Sequence, residues 1–371
     1  MEGICKFWQE KGYRYFPCND DISGIDVSEA MFNDEQQTYE VHDGKLNETE
    51  LPSWLDAPAL PEASRSGTLP SLRIVWIPFS KEPYRMQIRQ PNLDFILKKF
   101  EIETAFKSIQ IGFDGIVSNL ETSRLGKQSA KWYAIYLSYF QPCVSVDWSY
   151  DSITRSTQGI CMGTTWEISI FRELLKTQTS LIGDPVALAY VFLLARHWFH
   201  ETSFPSEIRA ISEVENRTGH HSWIGGTTVP TAAKGDYSVL SARMSGSATL
   251  LASVLRTIKL SQQVLSFISE CNDLGEFDAP THPYIGVIRH ARKEVENALK
   301  QIFAAQEIEQ QYHFQRTQIQ LTAVNIPNPT YYPLICSRSS TSSPKEMQIS
   351  TLLLRKTHAP SHQLASVTPP R

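Results

Sequence analysis

Residues 285–324 read IGVIRHARKEVENALKQIFAAQEIEQQYHFQRTQIQLTAV. The stretch contains no proline and, after Gly286, no glycine, so nothing interrupts a helix. Ala291, Ala298, Ala305, Tyr312 and Ile319 follow one another at intervals of seven. Ile288, Val295 and Ile302 form a second line beside them, which gives way to Glu309 and Arg316. Seven-residue recurrence puts both lines on one narrow seam of an α-helix, the pattern of a coiled coil. At 1.5 Å per residue the element is about 60 Å long, longer than an ordinary domain is wide. It is expected to project, or to lie along a partner helix. It carries no nucleophile and base.

Upstream, a second long helix is predicted over about 237–271. Met244, Leu251, Ile258 and Leu265 recur at seven, joined by Leu240, Leu255 and Ile268. Asn272-Asp273-Leu274-Gly275 stops it, and Pro280 and Pro283 mark a linker. Two such helices suit an antiparallel pair within the chain, or a seam between chains through which copies of the protein would form a homo-oligomer.

The remaining pattern is mixed. Leu72 to Pro78 reads as a strand ended by proline, and Asn92 as the cap of a short helix through Phe100. Aromatic residues from Trp132 to Phe140 form a strand. Val144, Val146 and Trp148 alternate with Ser145, Asp147 and Ser149, as in a strand with one buried face, and Thr154–Met162 returns beside it. Trp166–Lys176 is an amphipathic helix. Asp184-Pro185 starts another that is apolar nearly all round to Glu201, and Ile208, Ile211 and Val214 give a short amphipathic segment ending at Thr218-Gly219. The fold class is therefore α+β: a small mixed sheet with flanking helices, followed by two long antiparallel or coiled-coil-like helices.

Charge divides the 371 residues unevenly. Residues 1–62 hold 14 acidic and 4 basic side chains, and residues 325–371 hold 5 basic and 1 acidic. Four regions follow: an acidic, partly irregular arm over 1–70 with a strand at 38–42, an α/β domain over 71–235, a helical stalk over 236–324, and a disordered Ser/Thr/Pro-rich tail over 325–371. Neither charge block interleaves basic and aromatic residues as a nucleic-acid surface does. The longest apolar run, Val186–Ala195, is half of what a membrane span needs. Six scattered cysteines with no C-x-x-C pair and no secretory leader fit a reducing cytoplasm.

Chemistry-bearing motifs are scarce. His197 and His200 are three apart on a helix, without the four-residue spacing and intervening glutamate of zinc proteases. They read as an ordinary amphipathic helix end. His220-His221 lies in a Gly/Thr loop with no carboxylate or thiol near it. Glu213, Glu215 and Asp184 have no recognisable acid/base partner. No G-x-S-x-G elbow occurs. The expectation is a protein that is not an enzyme and has no catalytic, cofactor or metal residues of its own.

The order of these elements, with Leu72-Arg73-Ile74-Val75-Trp76-Ile77-Pro78, the aromatic strands at Trp132 and Trp148, Arg196-His197, Glu213–Gly219 and Gln315–Val324, resembles CorA-like proteins of the filamentous-fungal type. That resemblance implies the cytosolic α/β domain and stalk helix of a Mg2+ transporter-like protein, with two membrane helices and a pentameric pore to follow. Mg2+ enters by the resemblance alone. The family's Gly-Met-Asn signature is absent, and the composition changes abruptly after Val324. The expectation is a chain cut short of the pore, by an unspliced intron or shifted frame, cytoplasmic and unable to conduct ions alone. A soluble coiled-coil interaction module is the alternative.

Overall fold

The computed structural model describes residues 17–19, 24–33, 38–56, 70–80, 85–110, 114–119, 131–137, 144–151, 156–219, 236–273 and 285–325. Among the described residues there are seven strands: β1 (Ile25–Asn33), β2 (Thr38–Leu46), β3 (Pro70–Pro78), β4 (Gly115–Asn119), β5 (Lys131–Leu137), β6 (Val144–Asp151) and β7 (Ser156–Gly163). They form one sheet in the order β2-β1-β3-β7-β6-β5-β4. Only β3 and β7 pair in parallel, so the sheet is mixed, as expected. The helices are α1 (Leu51–Asp56), α2 (Gln90–Lys99), α3 (Glu103–Gln110), α4 (Thr165–Thr177), α5 (Ala187–Thr218), α6 (Tyr237–Asp273) and α7 (Ile285–Asn325).

Alternation along the strands sends successive side chains to opposite faces, and both faces are covered. Ile74, Trp76, Tyr133, Val146 and Trp148 pack against α4, α5, α6 and α7. Val75, Ile77, Ala134, Ile160 and Met162 pack against α1, α2 and α3. This corrects the expectation for β6. Val144 through Tyr150 are all buried, because helices cover the face that Ser145, Asp147 and Ser149 share. Polar alternation there marks a second, polar-lined interior rather than solvent.

The described residues of the acidic arm include two strands of the sheet and a short helix. β1 inserts between β2 and β3, with Val27 opposite Val75 and Ser28 opposite Ile74. Its charged residues find fixed partners: Arg73 donates to Glu29 at 2.9 Å. Trp76 Nε1 donates to Ser28 Oγ at 2.8 Å. Helix α2 begins before Asn92, with Arg89 at the cap position and a proline in the first turn. Asn92 instead donates to Glu48 at 2.9 Å.

Two glycines are dictated by the backbone, one by space and one by its dihedral angle. A Cβ on Gly159 would lie 2.6 Å from the Asp147 carbonyl oxygen and 2.8 Å from Trp148 Cβ, inside van der Waals contact. Gly219 closes α5 with φ 74°, a left-handed value that favours glycine, and its N–H reaches the Glu215 carbonyl at 2.9 Å. Between Asp184 and Gly219 the sequence suggests two helices. The structure has one of 32 residues running through Pro205. The proline costs one intrahelical bond, and packing of Phe204, Ile211 and Val214 against α6 and α7 holds the helix together across it. Asp184 does orient the helix start: its Oδ1 accepts from Val186 N–H at 2.9 Å. Trp148 Nε1 donates to Pro185 O at 2.8 Å, tying the start to the sheet.

The two long helices run antiparallel. Gln262 donates to Glu307 at 3.0 Å, and Ser269, further along α6, donates to Glu296, earlier on α7, at 2.6 Å. Of the α6 stripe, Leu240, Met244, Leu251, Ile258, Leu265 and Ile268 are buried, and Leu255 is only half-buried. The loop at 220–235 and the tail beyond 325 lie outside the described residues. Among those described, no helix is long and apolar enough to cross a membrane.

Candidate functional site

Helix α7 is unusual in what it buries. Its inner face toward α5 carries Gln306, Gln310, His313, Arg316, Thr317 and Gln320, all buried. Buried polar groups are costly unless hydrogen-bonded; Gln306, Gln310, Arg316 and Gln320 find polar groups of α5, Thr317 donates to the His313 carbonyl of its own helix at 2.9 Å, and Gln310 Oε1 has no hydrogen-bond partner among the described residues. Gln306 Nε2 lies 2.9 Å from His197 Nδ1, 2.8 Å from His200 Nδ1 and 3.0 Å from Glu201 Oε1. The Gln310 amide is 2.9 Å from His200 Nε2. Further along α7, Arg316 makes a bidentate pair with Glu215, through Nε at 2.9 Å and Nη2 at 2.5 Å. Arg316 also reaches Ser212 Oγ at 3.2 Å and His313 Nδ1 at 3.1 Å. Thr218 donates to Gln320 at 2.8 Å. At the other end Arg292 meets Asp184 at 3.3 Å, both buried.

Burial pushes the His200 imidazole below its ordinary value, against the opposing pull of Glu201 and Glu309. Burial and the Arg316 guanidinium do the same to His313, with Glu309 and Glu215 opposing. Both rings therefore stay neutral at pH 7. A histidine depressed in the folded state contributes stability that is present above its unfolded pKa, about 6.5, and is lost as pH falls through the folded value. We expect the melting temperature to fall as pH drops below about 6.5. His200→Gln, which keeps the polar contact without the titration, should flatten that fall; an unchanged profile would show that His200 does not contribute to it.

Beside this interface a cavity of about 300 Å3 opens between the first turn of α4, α5, α6 and α7. Phe199, Phe204, Val254, Ile258 and Phe303 line it, and Glu167, Arg196, His200, Glu207 and Gln306 bring polar groups to it. Glu167 belongs to a capping box: its Oε2 accepts from Thr164 N–H at 2.9 Å and Thr164 Oγ1 at 2.8 Å. Burial raises its carboxyl above the usual range, and nearby Arg196 pulls it back.

The heptad lines read from sequence divide on the structure. Ile288 is buried, and Ala291, Val295 and Ile302 are partly buried against the core. Ala298, Ala305, Tyr312 and Ile319 are exposed, and the Tyr312 ring lies 5.7 Å from the Arg316 guanidinium. The buried lines are Arg292-Leu299-Gln306-His313-Gln320 and Phe303-Gln310-Thr317-Val324. Apolar recurrence alone does not mark this face, because it mixes Leu299, Phe303 and Val324 with buried polar residues. The recurrence of Gln306, His313 and Gln320 at seven was the available signal. Toward solvent the helix instead presents Ile308, Tyr312 and Ile319, which are 70%, 46% and 57% exposed.

No family model and no curated protein matches this chain. Among solved structures, that of the full-length CmaX protein is similar over 90% of this chain and 84% of that one, with 9% identity and a TM-score of 0.40. Among the described residues no group of three or more His, Cys, Asp or Glu comes together to hold a metal ion.

Proposed function

We propose that the chain is an assembly domain of the CorA-like kind, acting in the cytoplasm as the soluble α/β-and-stalk part of a divalent-cation transporter-like system. Copies associate through the outer stripe of α7, and ion passage is not performed by the domain itself. The sequence resemblance set out above supports the transporter link. The observation that carries assembly is the solvent-facing heptad line of Ala298, Ala305, Tyr312 and Ile319, flanked by Ile308, on a helix whose inner face is already filled. Exposed apolar residues at seven-residue spacing fit a helical partner of the same period. The stripe equally favours a second reading, a helix-mediated interaction module with no role in ion transport.

Light scattering on the purified chain tests assembly. The expected result is an oligomer at micromolar concentration that becomes monomeric in the double variant Ile308→Lys/Ile319→Lys, whose wild-type side chains are solvent-exposed, with an unchanged melting temperature for the fold. A monomeric wild type would overturn the proposal. Repeating the measurement with Mg2+ and with a chelator separates the readings. A mass or melting temperature that responds to Mg2+ favours the transporter-like system, and an indifferent oligomer favours the interaction module.

A further inference from the structure

The cavity among α4, α5, α6 and α7 lies on the inner side of α7, away from the outer stripe, and has no part in assembly through it. At about 300 Å3 it is at the small end of ligand pockets. Its aromatic rings come from three elements: Trp166 from α4, Phe199 and Phe204 from α5, and Phe303 from α7. The ionisable groups at its wall are Glu167, Glu207, Arg196 and His200, with no lysine. His200 faces the amides of Gln306 and Gln310 and is neutral at pH 7. Arg196 sits within electrostatic reach of Glu167, and its guanidinium lies 6.0 Å from the centroid of the Phe199 ring. Among the lining residues the balance is one carboxylate in excess. Glu207 is half-buried and accepts a hydrogen bond from Ser247 at one oxygen.

We propose that this cavity binds a small organic amine, with its ammonium group at the Glu207 carboxylate and its apolar body among Phe199, Phe204 and Phe303. A carboxylate gives the ammonium a charge-assisted hydrogen bond. Aromatic faces attract cations through their quadrupoles, more strongly once water is displaced. An anion of the same shape would meet two carboxylates, and a neutral ligand would leave the excess charge uncompensated.

Three probes with similar bodies decide the matter: 2-phenylethylamine, 2-phenylethanol and 3-phenylpropanoate, titrated calorimetrically into the full chain at pH 7. The amine should bind at least roughly tenfold more tightly than the alcohol, a difference of about 1.4 kcal/mol, with the carboxylate weakest. Glu207→Gln should bring the amine down to the level of the alcohol and leave the alcohol unchanged. Val254→Trp, which fills the cavity, should abolish binding of all three, with thermal melts showing that both variants are folded. Equal binding of amine and alcohol overturns the proposal. So does tightest binding of the carboxylate, which would make Arg196 the governing group, and so does no binding at all. Should Glu207→Gln not fold, the three-probe comparison on the wild type still decides. The outcome is independent of whether the chain oligomerises.

Discussion

Glu215→Ala is expected to destabilise the fold by about 3–5 kcal/mol, because it leaves the Arg316 guanidinium buried without its counter-charge. Glu215 and Arg316 are both almost inaccessible, and the pair is bidentate, so water cannot replace the lost carboxylate without opening the α5–α7 interface. The cost should fall on breaking the pair, not on lacking it. Glu215→Leu combined with Arg316→Met removes both charges and restores apolar volume, and such replacements are often neutral or stabilising. Urea denaturation of the two single variants and the double variant gives the coupling directly. A loss below about 1 kcal/mol in Glu215→Ala, the size seen for exposed pairs, would mean that the interface is wet. The double variant closes a second question: Ser212 and His313 also touch Arg316, and any stability not recovered belongs to them.

Asp147→Val should stabilise the protein, and by more at pH 8 than at pH 4. Asp147 is fully buried on β6 between Ala134 and Ile160. Neither carboxyl oxygen has a hydrogen-bond partner among the described residues. Desolvation drives its pKa well above the usual carboxylate range. The sign follows. A carboxyl whose folded pKa is raised contributes stability that is fully present below the unfolded value, about 3.9, and is lost as pH rises toward the folded one. Valine fits a pleated, buried position and carries no polar group to desolvate. At pH 4 the expected gain is that of removing an unsatisfied buried polar group, about 1–3 kcal/mol. At pH 8 it grows, because the wild type must also take up a proton to fold. Melting curves across that range test this. A difference independent of pH would show that the carboxyl is not held neutral.

These two sites show where the sequence is legible and where it is not. Hydrophobic period placed β3, β5, the Val144-Val146-Trp148 face of β6, β7, α4 and all of the α6 stripe but Leu255, since there burial is achieved by apolar side chains, which is what periodicity measures. It failed wherever burial is polar. Asp147 reads as the outward position of an alternating strand because a covering layer of α2 and α3 cannot be inferred from β6 itself. Gln306 and Gln320 fell outside the seam drawn from apolar residues because their partners, His197, His200 and Thr218, are about a hundred residues away. β1 was hidden for a similar reason: Glu29 and Asp26 look solvent-bound until Arg73 and Arg172 are placed opposite them. The cavity was not legible at all, because it is formed where four helices fail to close, and no local pattern encodes that.

The polar match between α5 and α7 also has a mechanical meaning. Two apolar helix faces can slide past one another by a turn with little loss, because one leucine resembles the next. These cannot. A shift of one turn, about 5.4 Å, would carry Gln306 away from His200, Arg316 away from Glu215 and Gln320 away from Thr218 together, far beyond hydrogen-bond reach. The helices behave as a keyed joint. The same helix is tied at its other end through Arg292 to Asp184, next to Pro185, whose carbonyl Trp148 of the sheet holds, so an axial displacement of α7 would strain contacts along its whole length.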